Sequence, residues 1–435
     1  MKKFLAWLGT AALLASLCGC KPTQKQGEDE QKTAIPTNDT EYTFQAAEDA
    51  EPLPGGAAIT LIAGPEGVEE GADAALWQGI SAFAYNFGYV PKNEAAASMS
   101  AEDLQSTLKQ AAESGSKVVI CRGDAMAQAV YGLQGEYPDT YFMVVDAEAH
   151  NADYSDYTVK DTVRCVLFSE TQAGYLAGYA AVSEGYEELG FAGAEEMPAT
   201  VRYCTGFMQG AEKAAEQQGD EITLQVWYSG SKEYSDAVAE RLASWYNNGT
   251  QVIFAADEAT LQAALAGKKQ TETDGKIIAV KWDHDAQDEA VLFSALHCYN
   301  TMVQQELYNF FAAGGQWSQN AESLGHTDTV GVTENAVALS ADTWRLTKFT
   351  TSGYETLYDE LRSGAQKPED YAGMDNLPEL ENVTVQQSKN PAERSAGIFY
   401  ALRFLFWVAV RRGDLRAADF CFLGAALGAD TARTN

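Results

Sequence analysis

The chain of 435 residues carries 62 Asp+Glu against 30 Lys+Arg, a formal net charge of −32, and is 46% hydrophobic and 11% aromatic. That apolar share is enough to build a sizeable core and excludes a globally disordered chain, while the length suggests two or three domains. The acidity argues against nucleic acid as a partner, which needs a clustered positive footprint, and against docking of the bare surface on anionic lipid.

The first twenty residues offer another route to a membrane. Met1-Lys2-Lys3 is a positive start, and Phe4 to Leu17 is an apolar stretch too short to span a bilayer but suited to a secretory signal. It ends in Leu17-Cys18-Gly19-Cys20, which resembles a bacterial lipobox, with Cys18 where Ala or Ser is more usual. The resemblance implies removal of residues 1–19 and diacylglyceryl attachment at Cys20; the alternative is a plain signal peptide cleaved nearby. Acyl chains anchor by burying CH₂ groups worth ~0.8 kcal/mol each, so no spanning helix is required. Residues 20–55, with Pro22, Pro36, Pro52 and Pro54 among polar residues, read as the lipid anchor and a flexible acidic tether.

From Ala57 onward short apolar runs alternate with segments of helical spacing. The runs are Ile59–Ala63, Lys117–Cys121, Tyr141–Asp146, Val163–Phe168, Leu189–Ala192, Thr223–Trp227, Gln251–Ala255 and Lys276–Val280. Between most of them lie amphipathic stretches such as Ala75–Phe87, Thr171–Val182 and Val201–Ala215. The alternation predicts βαβ units and hence an α/β fold of two doubly wound parallel-sheet lobes, near 56–166 and 167–290. Ala295–Ala313 and Thr343–Arg362 read as further helices within a closing segment, 291–388, shared by the lobes, part of 291–340 returning to the first. Residues 389–435 are anomalous, holding six of the twelve arginines and a net charge of +3, and no role follows from them.

Chemical motifs are scarce. Walker, Rossmann, HExxH and GxSxG patterns are missing, and Cys121, Cys165, Cys204, Cys298 and Cys421 form neither a zinc set nor a disulfide framework. His150, His284, His297 and His326 are dispersed, and Asp283-His284-Asp285 reads as a solvated loop rather than a metal trio. No cofactor, no metal and no catalytic constellation is expected, which favours a binding protein over an enzyme.

Five stretches in order then carry a family resemblance. They are Leu76-Trp77-Gln78-Gly79-Ile80; Tyr137-Pro138-Asp139 with Phe142–Asp146; Phe168–Ala181; Leu189–Gly193 with Gly206-Phe207-Met208-Gln209-Gly210; and Val252–Ala256 with Val291–Leu296. Together they resemble the basic membrane protein family, the PnrA-like substrate-binding lipoproteins of ABC importers that capture purine nucleosides. The resemblance implies a type I periplasmic-binding fold with a hinge, a small-molecule solute with nucleosides leading, an ABC permease partner and a monomer lipid-anchored outside the cell membrane. An alternative is a sensor or surface lipoprotein that kept the fold and left transport. Gly174, Gly178, Gly206 and Gly210 are expected to allow close helix packing, and Trp77 to anchor the core.

The family holds a base between aromatic rings and the ribose with carboxylates and a lysine. By that resemblance the Phe-Asn pair falls on Ala72-Asp73, Asp146 closes its Phe-x-x-x-Asp stretch, and Tyr234 falls near the second aromatic. Asp257, directly after Val252–Ala256, joins the set. The Gly-Val-Asp-x-Asp-Gln pattern reads Ala279-Val280-Lys281-Trp282-Asp283-His284, so Lys281 replaces the first acid and Asp283 keeps the second. The lysine after Ser-Ala-Leu has become His297. Trp282 either supplies a replacement ring or faces the core. The exchange of an acid for Lys281 also admits an anionic solute.

Overall fold

A computed structural model describes Asp39 and residues 42–284, 288–317, 327–341 and 344–388. The expected signal peptide, Cys20, the first part of the tether and the 389–435 tail lie outside the described residues.

The first lobe opens with β1 (Ala58–Ala63), α1 (Gly71–Phe87), β2 (Val90–Ala95), α2 (Ala101–Glu113), β3 (Ser116–Arg122), α3 (Asp124–Leu133), β4 (Tyr141–Val145) and β5 (Val163–Phe168). Its strand residues alternate between two cores: Ile59, Leu61, Val118, Ile120 and Met143 enter one, and Ile62, Val119, Cys121, Phe142 and Val144 the other. Burial on both faces is what makes these runs continuously apolar.

The second lobe follows with α4 (Glu170–Glu184), β6 (Glu188–Gly193), α5 (Pro198–Gln218), β7 (Ile222–Tyr228), α6 (Asp236–Asn247), β8 (Val252–Ala255), α7 (Glu258–Lys269), β9 (Lys276–Lys281) and β10 (Val291–His297). The chain then gives α8 (Tyr299–Ala312), β11 (Thr327–Val330), β12 (Val337–Leu339), α9 (Thr351–Arg362) and β13 (Val383–Ser388). The first sheet runs β11-β5-β4-β3-β1-β2, and the second β12-β10-β9-β8-β6-β7-β13. Every pairing is parallel except β12 against β10. This is the two-lobed, doubly wound α/β architecture expected, with six strands in one sheet and seven in the other.

The chain passes between the sheets three times: from β5 into α4, from β10 into α8, and from β11 to β12. The passages are tied together. Ser169 N donates to Val330 O at 2.9 Å, Cys298 N to Ala336 O at 2.8 Å, and Val332 N to Gln172 Oε1 at 2.9 Å. So the closing segment serves both lobes: β11 joins the first sheet while β12 and β13 extend the second. α8 packs on α1, where a side chain in place of Gly79 would come within 2.4 Å of Val303.

Three expectations differ from what is seen, one being the helix read from Thr343, which starts at Thr351. The helix read from Ala295 starts at Tyr299, because Val291–His297 is a wholly buried strand. The described end of the tether is docked rather than loose. Asp39 caps α8, and Phe44 lies against Tyr308 with ring centroids 4.6 Å apart. Cys121, Cys165, Cys204 and Cys298 are buried free thiols, Cys165 being pushed up to about 11 by burial.

Candidate functional site

The carboxyl ends of the strands in both sheets converge between the lobes, the place where doubly wound folds take ligands. On the first side, Arg122 ends β3 and is followed by Gly123 at φ 88°. Its Nε donates to Asp73 Oδ1 at 2.9 Å, and Gly64 N donates to Asp73 Oδ2 at 3.1 Å. Asp146 follows β4 with a left-handed backbone, φ 63°.

Asp146 is buried and heavily engaged. Its Oδ2 accepts the Tyr299 hydroxyl at 2.6 Å and stands 3.8 Å from Arg122 Nη1 and 4.0 Å from Lys281 Nζ. Its Oδ1 lies 3.1 Å from Nδ1 of His297, the last residue of β10. A carboxylate there places a proton on Nδ1, and Nε2 lies 2.7 Å from the Tyr203 hydroxyl. Phe168 stacks on the same imidazole with centroids 4.2 Å apart. Burial alone would raise the Asp146 carboxyl, but Lys281, His297 and Arg122 outweigh it and hold it well below the usual carboxylate range.

The second lobe supplies most of a cavity of about 360 Å³. Arg122 is its contribution from the first lobe; Asp257, Lys281 and Trp282 line it from the second, with Met197 and Leu261 as apolar wall. Asp257 caps α7: its Oδ1 accepts Thr260 N at 2.9 Å, and its Oδ2 accepts Ala194 N at 2.6 Å. Burial raises its carboxyl above the ordinary value despite those bonds. The rim carries the ion pair of Lys232 with Glu195 at 3.3 Å, and His284 Nε2 lies 4.0 Å from Glu258 Oε2. Trp282 is half-buried, and its indole also faces the start of α1, 3.8 Å from where a side chain at Gly71 would begin.

Of the residues singled out in the sequence, Asp257, Lys281 and Trp282 therefore line one cavity. Asp73, Asp146 and His297 stand behind it, joined to it through Arg122 and Lys281. Tyr234 lies apart, 43% exposed, its hydroxyl donating to Asp236 at 2.8 Å. Asp283 is exposed and outside the lining. Trp77 is half-buried against the core. Arg122 was not anticipated, although a charged residue ending an apolar strand and preceding glycine carries a signal of its own under the carboxyl-edge rule.

Two wound lobes joined by three crossings, with a cavity at their facing strand ends, make up a periplasmic-binding-protein type of fold. Residues 69–354 match the Bmp family, described as ABC transporter substrate-binding protein PnrA-like, and the chain belongs to that family. Solved structures similar to it include an ABC transporter solute-binding protein from Aeropyrum pernix K1. That match has 15% identity, covers 73% of this chain and 95% of that one, and has a TM-score of 0.54. One from Conexibacter woesei matches at 18% identity over 72% and 99% of the chains, TM-score 0.54. A transcriptional activator of the comK gene from Bacillus halodurans matches at 17% identity over 72% and 100%, TM-score 0.56. These likenesses concern the fold. No curated protein matches the sequence. Membership makes this an extracytoplasmic substrate-binding protein that serves a permease.

Proposed function

We propose that the protein captures a purine nucleoside for an ABC importer, closing its lobes on the solute, and that a lipid on Cys20 holds it at the membrane as a monomer. The observation that supports the ligand class is the cavity itself. A half-buried indole, Trp282, stands beside Asp257, Lys281 and Arg122 in a space of about 360 Å³. A flat apolar face bordered by a few polar groups suits a ring with a polar edge, and the volume falls in the range of small-molecule sites. Closure fits a hinge of three tied crossings, because a ligand touching both lobes binds the closed form better and shifts the equilibrium to it.

Isothermal titration calorimetry of the purified protein against nucleosides, with carboxylic acids and phosphate esters as comparison, tests the reading. Saturable heat with a purine nucleoside is expected. Absence of heat with every nucleoside would falsify this ligand class, and heat with the anions alone would move the assignment to them.

A second reading, a ligand sensor or surface lipoprotein outside transport, draws on the engagement of Asp146 by Arg122, Lys281, His297 and Tyr299. That engagement withdraws the carboxylate that the family resemblance offers to a sugar. Nucleoside uptake by cells lacking the protein separates the two: unchanged uptake favours the sensor.

A further inference from the structure

Arg122 and Lys281 come from opposite lobes and meet at a single oxygen, Asp146 Oδ2. That atom already accepts the Tyr299 hydroxyl, and Oδ1 faces His297. The other first-lobe carboxylate, Asp73, takes Arg122 Nε on one oxygen and Gly64 N on the other. Neither carboxylate is part of the cavity lining, whereas both cations are. At the cavity wall these two side chains offer donors alone, since a guanidinium carries five N–H groups, an ammonium three, and neither accepts.

The backbone shows that the arrangement is built. Asp146 and Lys281 sit at φ 63° and 75°, two of the four non-glycine residues with positive φ among those described. Left-handed backbone at such residues is costly and persists where surrounding structure enforces it, commonly at ligand sites. Here Asp146 directly follows β4 and Lys281 ends β9, and the two face each other across the cleft. Asp146 acts as a positioning residue, holding Arg122 and Lys281 in place at the cavity wall.

We propose that Arg122 and Lys281 form a donor-only subsite that reads the acceptor edge of an oxopurine, the O6 and N7 side of hypoxanthine or guanine. Trp282 carries the face of the same ring. The inference rests on the nucleoside reading above and sharpens it. An arginine fork matches O6 and N7 bidentately, whereas adenine sets an amino donor where O6 would be. A donor facing a donor leaves both without partners in a partly dehydrated site, and sites built to hydrogen-bond reject analogues on that ground. The sugar then falls toward Asp257 and Glu258, whose carboxylates accept from hydroxyls and line the same cavity.

Calorimetry on the full chain with inosine, guanosine and adenosine tests this, repeated on Lys281→Met and Arg122→Gln. Inosine and guanosine are expected to bind at least about tenfold tighter than adenosine, as a good bidentate pair implies. In both variants the ratio falls toward one. Lys281→Met is the safer substitution, because that side chain is 33% exposed and Asp146 keeps Arg122, His297 and Tyr299. A purely structural role would weaken all three nucleosides alike and leave the ratio intact. Adenosine binding as tightly as inosine, or a ratio untouched by Lys281→Met, overturns the subsite while nucleoside capture stands. No binding of any nucleoside removes both.

Discussion

Asp39 shows how much one residue far from the cavity contributes. The residue at the N-cap of α8, Cys298, supplies no side-chain cap. Asp39, 261 positions before Asn300, accepts Asn300 N on Oδ2 at 2.8 Å, and Thr301 N and the Thr301 hydroxyl on Oδ1 at 2.9 Å. Asn300 Nδ2 donates back to Asp39 O, so the strap and the helix start are interlocked. One residue before Asn300 is Tyr299, whose hydroxyl holds Asp146, which links this cap to the site. Asp39→Asn turns one acceptor into a donor against a helix N–H and is expected to cost about 1–2 kcal/mol in chemical denaturation. The pH dependence has a definite sign. Burial, set against the bonds from Thr301 and Asn300, pushes the Asp39 carboxyl up to about 6 from 3.8. The folded state then holds the proton more tightly than the unfolded one, so the contribution is full below about pH 4 and declines as pH rises through 6. The stability gap between wild type and Asp39→Asn should therefore narrow from pH 4 to pH 7; a gap that widens would mean that the donors, rather than burial, govern this group. None of this is legible in the sequence, where Asp39 is one acid among 62 and its neighbours lack periodicity. Lys281 and Asp257 were legible through a family pattern, whereas Arg122 matters because of the strand end it occupies and the carboxylates it meets.

At the scale of elements, the packing of α4 on α5 is where sequence and structure agree most closely. Glycines at a spacing of four suggested close approach, and the two helices touch backbone to backbone. A Cβ on Gly178 would stand 2.1 Å from Phe207 O, and one on Gly210 2.0 Å from Tyr175 O. No rotamer relieves such a contact, because the obstructing atom belongs to the partner's main chain. Gly178→Ala is accordingly expected to destabilise by about 1–3 kcal/mol, read as a lower denaturation midpoint. Ser183→Ala on the same helix should stay within about 0.5 kcal/mol; equal effects would show that the helices can separate without penalty. The eight apolar runs all became strands, since burial on both faces forces the signal to be strong. β2, β11 and β13 lacked that signal. β2 reads Val-Pro-Lys-Asn-Glu-Ala and is largely exposed at a sheet edge, where proline is tolerated and alternation is weak. β13 is the opposite edge of the second sheet and is likewise mostly polar. β10 was misread at its end because Ser294–His297 is buried on both faces, and a short buried run carries no period that separates strand from helix.

For the molecule as a whole, the charge bears on where the protein resides. Residues 56–388 alone sum to −32, so the acidity belongs to the two-lobed body rather than to the tether or the basic tail. A body so charged is repelled by anionic lipid over a screening length of about 8 Å at physiological salt. Among the described residues no helix is long and apolar enough to cross a membrane. Substrate-binding proteins of this family nonetheless work with a permease embedded in the membrane. The lipid proposed on Cys20 supplies an attachment that meets these conditions. The strap that leads into the body is fastened as far back as Asp39, which caps α8 of the first lobe. Cys20→Ala should move the protein from the membrane fraction to the soluble or secreted fraction while leaving nucleoside calorimetry unchanged. Continued sedimentation with membranes, at salt high enough to screen surface charge, would show that something other than an acyl chain retains it. Loss of ligand heat in the same variant would instead tie the anchor to the folding of the body.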